Sequence, residues 1–321
     1  MTRPPPTTEK TMTHPDPPTL PTHRDPDRVP GTTTGPGPAR TVRPRLWPRL
    51  AAPLCLAGFL TVYLAAVCTP FGQRAENSLF GENGANPAWI YDWSGAAYQS
   101  SALPPLEHTA MPTLVVGTAV IATVALVRRC WWQGCAAIGI VVATIGSKEL
   151  TRAILPRPDL VDAHVSLIES SFPSGHVAVP AGLALGAVAV ASPRTRPYVM
   201  AAGMVWLAFT AGAVQATYHH RPSDVLGSTL LACACYALAV RFLPPTAAPG
   251  VTRRPRALPA VALALSAAVA LVAGARDDSV TQSLVFAAAA FLCAVLLWCT
   301  VGVGQRQGPA RAARRAPSPP A

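Results

Sequence analysis

Charge is scarce in this sequence. Of its 321 residues, 13% are Asp, Glu, Lys or Arg, against about 25% in an ordinary soluble domain. Half of the residues are hydrophobic. That balance excludes a soluble Rossmann, barrel or sandwich enzyme. Lysine is almost missing, with 2 against 24 arginines, a skew that points to a GC-rich, bacterial genome. Paired metal-ligand spacings are missing too. Cys233 and Cys235 have no second pair, and no carboxylate cluster stands ready for a cation. The eight cysteines sit in or beside apolar runs, unlike a small secreted disulfide framework, and read as buried free thiols. No repeat of fixed period is present. The N-terminus does not read as a signal peptide, because no apolar core follows a short basic start.

Proline is plentiful but uneven: 13 of the 35 fall within residues 1–48. That stretch has almost no aliphatic residues to offset the entropy of ordering, so it reads as disordered. The remainder is dominated by apolar runs near the length of about 20 residues that a spanning helix needs. The runs predict spans at 50–71, 111–127, 133–154, 177–192, 198–218, 225–243, 259–275 and 281–303. The expected fold is therefore all-α, a polytopic membrane helix bundle. Its parts are a Pro-rich segment (1–48), a bundle (49–245), a basic loop (246–258), two further helices (259–303) and a basic tail (304–321).

The basic residues divide unequally between the two sides of such a bundle. The N-terminal segment, the 128–132, 193–197 and 241–257 connections and the tail hold 20 of the 26. The alternate connections hold four: Arg74, Arg157, Arg221 and Arg276. By the positive-inside rule both termini face the cytoplasm. The net charge of +11 then reflects topology and anionic lipid rather than nucleic acid. In the long outer loop, Trp89, Tyr91, Trp93 and Tyr98 read as an interfacial aromatic patch.

Ionisable residues near a membrane are costly and tend to be functional. Here they gather in three clusters, all on the outer side: KELTRAILPRPDL (148–160), FPSGH (172–176) and YHHRPSD (218–224). In the second, Ser174 suits a helix N-cap, Gly175 allows close approach to the backbone, and free N–H groups at a helix start hold anions. His176 would then exchange a proton beside the anion. In the third, His220 and Asp224 are four apart and share a face if the segment is helical. A carboxylate on one imidazole nitrogen leaves the other to attack. His219 has no such carboxylate. In the first, Arg157 between two prolines offers a bidentate phosphate ligand.

With these residues in view, the chain resembles the type 2 phosphatidic acid phosphatase (PAP2, lipid phosphate phosphatase) family, which shares its site with vanadium haloperoxidases and bacterial acid phosphatases. Arg157-Pro158, Pro173-Ser174-Gly175-His176 and His220 with Asp224 match its three motifs in order, within about residues 110–243. The resemblance implies a six-helix core, here with two extra C-terminal helices, and a membrane hydrolase that needs no cofactor or metal. His220 would be the nucleophile, Asp224 its orienting partner and His176 the acid and base. Arg157, Ser174 and Gly175 would bind phosphate.

Two family positions differ. The lysine seven residues before Arg157 is replaced by Leu150, and the Ser-Arg pair by Ala213 and Val214. Arg152, Lys148 and Arg221 are the candidate substitutes, Arg152 ahead of Lys148 because it lies nearer the outer side. The expected partners are the bilayer and a lipid phosphate: phosphatidic acid, phosphatidylglycerol phosphate or, preferred, a prenyl (di)phosphate such as undecaprenyl diphosphate. The expected location is the plasma membrane with the site extracytoplasmic. A weak or inactive lipid-binding relative and a lipid transporter or scramblase are the alternatives.

Overall fold

The structure, a computed structural model, describes residues 47–79, 106, 110–162, 171–243, 257–276 and 279–305. The Pro-rich segment, the aromatic residues at 89–98 and the basic tail lie outside the described residues. Among the described residues all regular structure is helical: α1 (Trp47–Val62), running into a π-helical turn (Tyr63–Val67), then α2 (Pro70–Asn77), α3 (Met111–Val127), α4 (Trp131–Ile154), α5 (Gly175–Val190), α6 (Arg196–Ala216), α7 (Pro222–Phe242), α8 (Leu258–Ala273) and α9 (Val280–Gln305).

Eight apolar helices thus occupy the eight expected runs. Five are long and apolar enough to cross a membrane: Leu50–Val67, α4, α6, α7 and Val280–Gly302 of α9. The other three, α3, α5 and α8, have 17, 16 and 16 residues. At about 1.5 Å per residue they reach roughly 24–26 Å, short of a hydrocarbon core of about 30 Å. Large apolar side chains such as Leu54, Val115, Val142, Phe242 and Val280 lie exposed around the bundle. In water such a surface would be a liability; it suits lipid.

The first span ends four residues earlier than the sequence pattern suggests. Thr69 caps a new helix, its hydroxyl accepting the Gly72 N–H at 2.9 Å, with Pro70 in the first turn. Proline tolerates that position because its missing N–H would be unsatisfied there anyway. The segment expected to be the start of a loop is therefore α2. The cysteines are all free, but only Cys233 and Cys293 are buried, and Cys135 and Cys299 are exposed. Burial of all eight was too simple an expectation for a helix bundle with an apolar exterior.

Two helices form the middle. α5 packs against α3, α4, α6 and α7, and α7 against α1, α4, α5 and α9. α5 consists of Gly, Ala, Val, Leu, one His and one Pro and is buried almost throughout. Small residues let helix backbones approach closely without a hydrophobic drive between them. α8 and α9 pack on α6, and α9 also on α7, so the extra pair completes the bundle.

The three polar clusters meet at one end: the end of α4, the start of α5, the end of α6 and the start of α7. At the other end of α5, Arg128 donates to the Val190 carbonyl and Arg196 to the Ala191 carbonyl at 3.3 Å. The Arg-rich connections of the expected cytoplasmic side therefore lie opposite the clusters.

Phe172, 2% exposed, anchors the segment ahead of α5. Its ring centroid lies 5.3 Å from that of Phe59 and 5.5 Å from that of Tyr63. On its third side is Gly227 of α7, where an added Cβ would stand 2.6 Å from the ring. Gly227→Ala should therefore push the ring away and cost about 1–3 kcal/mol of stability, the usual penalty of overpacking. A Tm in detergent equal to that of the parent would contradict this packing.

Candidate active site

Asp224, in the first turn of α7, is fully buried. A buried carboxylate is costly unless donors surround it, and here three converge on one oxygen. Asp224 Oδ2 accepts the Ser171 hydroxyl at 2.6 Å and the Arg221 backbone N–H at 2.9 Å, and stands 3.4 Å from His220 Nδ1. His220 lies ahead of α7, not within it. The pair is therefore no i,i+4 contact on a helix face, as the spacing suggested. It is a by-product of capping, in which the Asp224 side chain turns back over the N-cap. Nδ1 faces the carboxylate, and the tautomer that hydrogen-bonds it carries its proton on Nδ1 and keeps the lone pair on Nε2.

The segment 171–176 is stitched to the same helix start. The Ser174 N–H donates to the Asp224 carbonyl at 3.2 Å. The Ser228 hydroxyl lies 2.7 Å from the Ser174 carbonyl and 2.9 Å from that of Asp224. Ser174 is the N-cap of α5, its Oγ accepting the Val177 N–H at 3.3 Å. The capping role expected of it stands, but its own N–H is taken and cannot serve a ligand. The next two N–H groups, of Gly175 and His176, have no acceptor within the helix by geometry. The His176 and His220 rings face one another, centroids 5.7 Å apart.

Arg157 enters from the connection after α4. Its side chain is 4% exposed. Both flanking prolines are held by their carbonyls: Tyr63 Oη donates to Pro156 at 2.7 Å and Gln73 Nε2 to Pro158 at 2.5 Å, while Gln73 Oε1 accepts the Leu160 N–H at 3.1 Å. Glu76 of α2 is its ion-pair partner, with Oε2 3.9 Å from Nη2. Neither Nη1 nor Nη2 finds a hydrogen-bond acceptor among the described residues. Arg221 lies close by. Its Nη1 reaches Ser171 Oγ at 3.4 Å and its Nη2 reaches Asn77 Oδ1 at 3.3 Å. Burial and then the neighbouring Arg157 charge lower its basicity, a sign that two guanidinium groups crowd one region. The unmade hydrogen bonds of the Arg157 guanidinium suit an oxyanion.

The structure separates the two lysine substitutes. A Cβ on Gly175 would lie 3.3 Å from Lys148 Cε and 3.4 Å from Nζ, so the ammonium rests against the start of α5, with Glu149 as its ion pair. Arg152 is exposed, and the preference for it from its depth gives way to Lys148. At about 100° per residue, Lys148 and position 150 point to opposite faces of α4. Leu150 accordingly is 61% exposed. Val214 is fully buried, and its carbonyl accepts the N–H groups of His219 and His220 at 3.0 and 3.1 Å.

His219 is exposed at its edge and bonds Thr217 Oγ1 at 2.9 Å. Desolvation, followed by the charges of His220 and His176, holds its basicity down to about 4. His220 has a carboxylate partner in Asp224, and this favours His220 as the reactive ring.

Sequence reasoning missed Tyr63, Gln73, Glu76, Asn77, Ser171 and Ser228. A Thr-Pro helix start before GQRAEN was the available sign of α2. It also missed Arg276, which follows α8. Arg276 Nη1 donates to the Ala216 carbonyl at 2.8 Å, and its guanidinium lies 3.9 Å over the Tyr218 ring. Tyr218 has a left-handed φ of 57°, which turns the chain from α6 toward His220. No group of three or more metal-ligating side chains occurs among the described residues.

A family model described as the PAP2 superfamily matches residues 94–247. No curated protein and no solved structure matches the chain. The matched segment contains Arg157, His176, His220 and Asp224 but excludes α1, α2, α8 and α9, which brace them.

Removing Lys148 should matter more than removing Arg152. A lost charge-assisted hydrogen bond costs about 1.5–3 kcal/mol, so Lys148→Ala should lower phosphate release about 10- to 100-fold and Arg152→Ala less than threefold. The reverse order would return the role to Arg152.

Proposed function

The chain belongs to the PAP2 superfamily through residues 94–247, and on that premise we propose that it hydrolyses a lipid phosphate or prenyl (di)phosphate at the outer face of the plasma membrane through a phosphohistidine. Its family and its apolar helices make it a membrane protein of the phosphatase type. The observation that carries the finer reading is the facing His176–His220 pair, 5.7 Å between centroids, with a buried carboxylate behind His220.

Asp224 holds His220 with the Nδ1 proton inward, so Nε2 attacks phosphorus. As the P–O bond to the lipid breaks, His176 gives its proton to the leaving oxygen. The lipid alcohol, or the lipid monophosphate from a diphosphate, departs. His176, now neutral, takes a proton from water as that water attacks the phosphohistidine. The P–N bond breaks, phosphate leaves and both imidazoles return to their starting states. Arg157, Arg221 and Lys148 offset the charge on the non-bridging oxygens, where fixed charges in a dry site act most strongly. No step needs a metal or cofactor.

Two observations support an outer-leaflet substrate. The site lies at the end of the bundle opposite Arg128 and Arg196, and the basic residues of the connections divide 20 to 4 between the sides. Exposed apolar helix faces beside the site, Leu150 and Ile154 among them, suit an acyl or prenyl chain.

The test is phosphate release from dispersed lipid phosphates in detergent with EDTA present. The parent protein should release phosphate and, quenched during turnover, carry acid-labile phosphate. His220→Ala should lose both, by at least about 10³-fold, the scale of a missing nucleophile. Release by His220→Ala at the parental rate would exclude the proposed nucleophile, and a parent that binds lipid phosphate without releasing it would leave a lipid-binding protein.

A further inference from the structure

Glu76 is a buried carboxyl group beside Arg157 that the proposed mechanism does not use. It is 7% exposed. Its Oε1 accepts the Ser223 N–H at 3.0 Å, which fixes the carboxyl plane. Its Oε2 lies 3.9 Å from Arg157 Nη2, too far for a hydrogen bond. Glu76 Oε2, Arg157 Nη1 and Arg157 Nη2 are all buried and have no hydrogen-bond partner among the described residues.

This gap is built rather than slack. On one side the Arg157 backbone is pinned at both flanking carbonyls by Tyr63 and Gln73. On the other, Glu76 is pinned by the start of α7. A carboxylate oxygen and a guanidinium fork thus face each other across 3.9 Å with their hydrogen bonds unmade. An anion entering that space takes the guanidinium donors and sets one of its oxygens beside Glu76 Oε2. Two bare anionic oxygens in contact, away from water, repel strongly. One proton between them turns that repulsion into a hydrogen bond.

We propose that Glu76 and a phosphoryl oxygen share one proton in the bound state, so that the site selects a terminal phosphoryl group bearing an ionisable P–OH. This deepens the proposed function and rests on it. It names the substrate class as a phosphomonoester or the terminal phosphate of a diphosphate. It also gives the site a means to refuse the surrounding bilayer. A phosphodiester headgroup gives up its single P–OH proton far below neutral pH, has none that titrates near it as a monoester does, and would bind only when Glu76 itself brings the proton.

The groups facing Glu76 are Arg157 from the connection after α4 and Arg221 and Asp224 from the start of α7; Arg74, on its own helix, is exposed. Burial and then the Asp224 charge raise the Glu76 pKa above the ordinary carboxylate range, with Ser223 and Arg157 opposing. A carboxyl group placed so can hold or give up a proton as the ligand demands.

Inorganic phosphate and sulfate separate the possibilities. They match in size and shape, but phosphate carries a proton throughout the neutral range and sulfate does not. The experiment is calorimetric binding of sodium phosphate and sodium sulfate to the full chain in detergent at pH 6, 7 and 8, for the parent and Glu76→Gln. Both histidines affect the two anions alike, and the titration of phosphate itself is common to both proteins, so the difference between parent and variant in the pH slope of the Kd ratio isolates the shared proton. In the parent, sulfate should weaken relative to phosphate more steeply than in the variant, by up to tenfold more per pH unit, the slope of one linked proton. In Glu76→Gln, whose amide oxygen still accepts the Ser223 N–H and whose amide nitrogen donates without a proton, the ratio should follow the titration of phosphate alone.

An unaltered Tm for Glu76→Gln would show that the fold is kept. A pH-independent ratio in the parent, or the same slope in both proteins, would overturn the shared proton while leaving the phosphate site standing. Failure of the parent to bind either anion would overturn the site itself, and this inference with it.

Discussion

Everything at the polar end of this bundle is tied to Asp224. Its side chain holds His220 and Ser171, and its main-chain carbonyl takes the Ser174 N–H and the Ser228 hydroxyl. One residue thereby fixes both the imidazole of the third motif and the start of α5, which carries the imidazole of the second. The arrangement follows from elementary constraints. A carboxylate buried at a helix start must find donors, and the N-terminal turn supplies them. With Oδ2 so held, two histidines 44 positions apart in the chain lie with their ring centroids 5.7 Å apart.

Beside that centre the Arg157 guanidinium is left short of hydrogen-bond acceptors among the described residues. Arg157 is placed by its neighbours' carbonyls rather than by its own guanidinium, which leaves its donors unspent. Lys148 lies against Gly175 because the turn of α4 brings it there. Preorganised charge of this kind favours an anion whose charge grows during reaction, and it needs no rearrangement at that moment. The stability given up in leaving buried donors unsatisfied is what makes the end of the bundle receptive.

Much of this was legible in the chain itself. The apolar runs marked eight helices, and Ser174 marked a helix start correctly. The residues at 157, 174–176 and 220–224 do gather. What was not legible depends on packing. Depth alone favoured Arg152, but it lies one turn beyond Lys148 on the same face of α4 and is exposed, while Lys148 rests against Gly175. A four-residue spacing suggested a helical pair, but Asp224 reaches His220 by folding back over a cap. Glu76, Gln73 and Asn77 read as ordinary polar residues after a span. Their partners lie 147, 85 and 144 positions away, and nothing local announces them. The helices beyond the matched segment were likewise mute, yet Arg276 supports the turn that delivers His220.

The matched segment holds the residues proposed to react, and residues outside it, Tyr63, Gln73 and Arg276 among them, hold that segment in place. The central claim is spatial: one phosphoryl group touches both imidazoles and the Arg157 guanidinium together. A structure of the protein soaked with orthovanadate, which adopts the geometry of a phosphoryl group under attack, tests it directly. The account predicts vanadium bonded to His220 Nε2, with oxygens within hydrogen-bond reach of Arg157 and His176. Vanadate bound elsewhere, or bound by His220 with Arg157 still turned only toward Glu76, would contradict it.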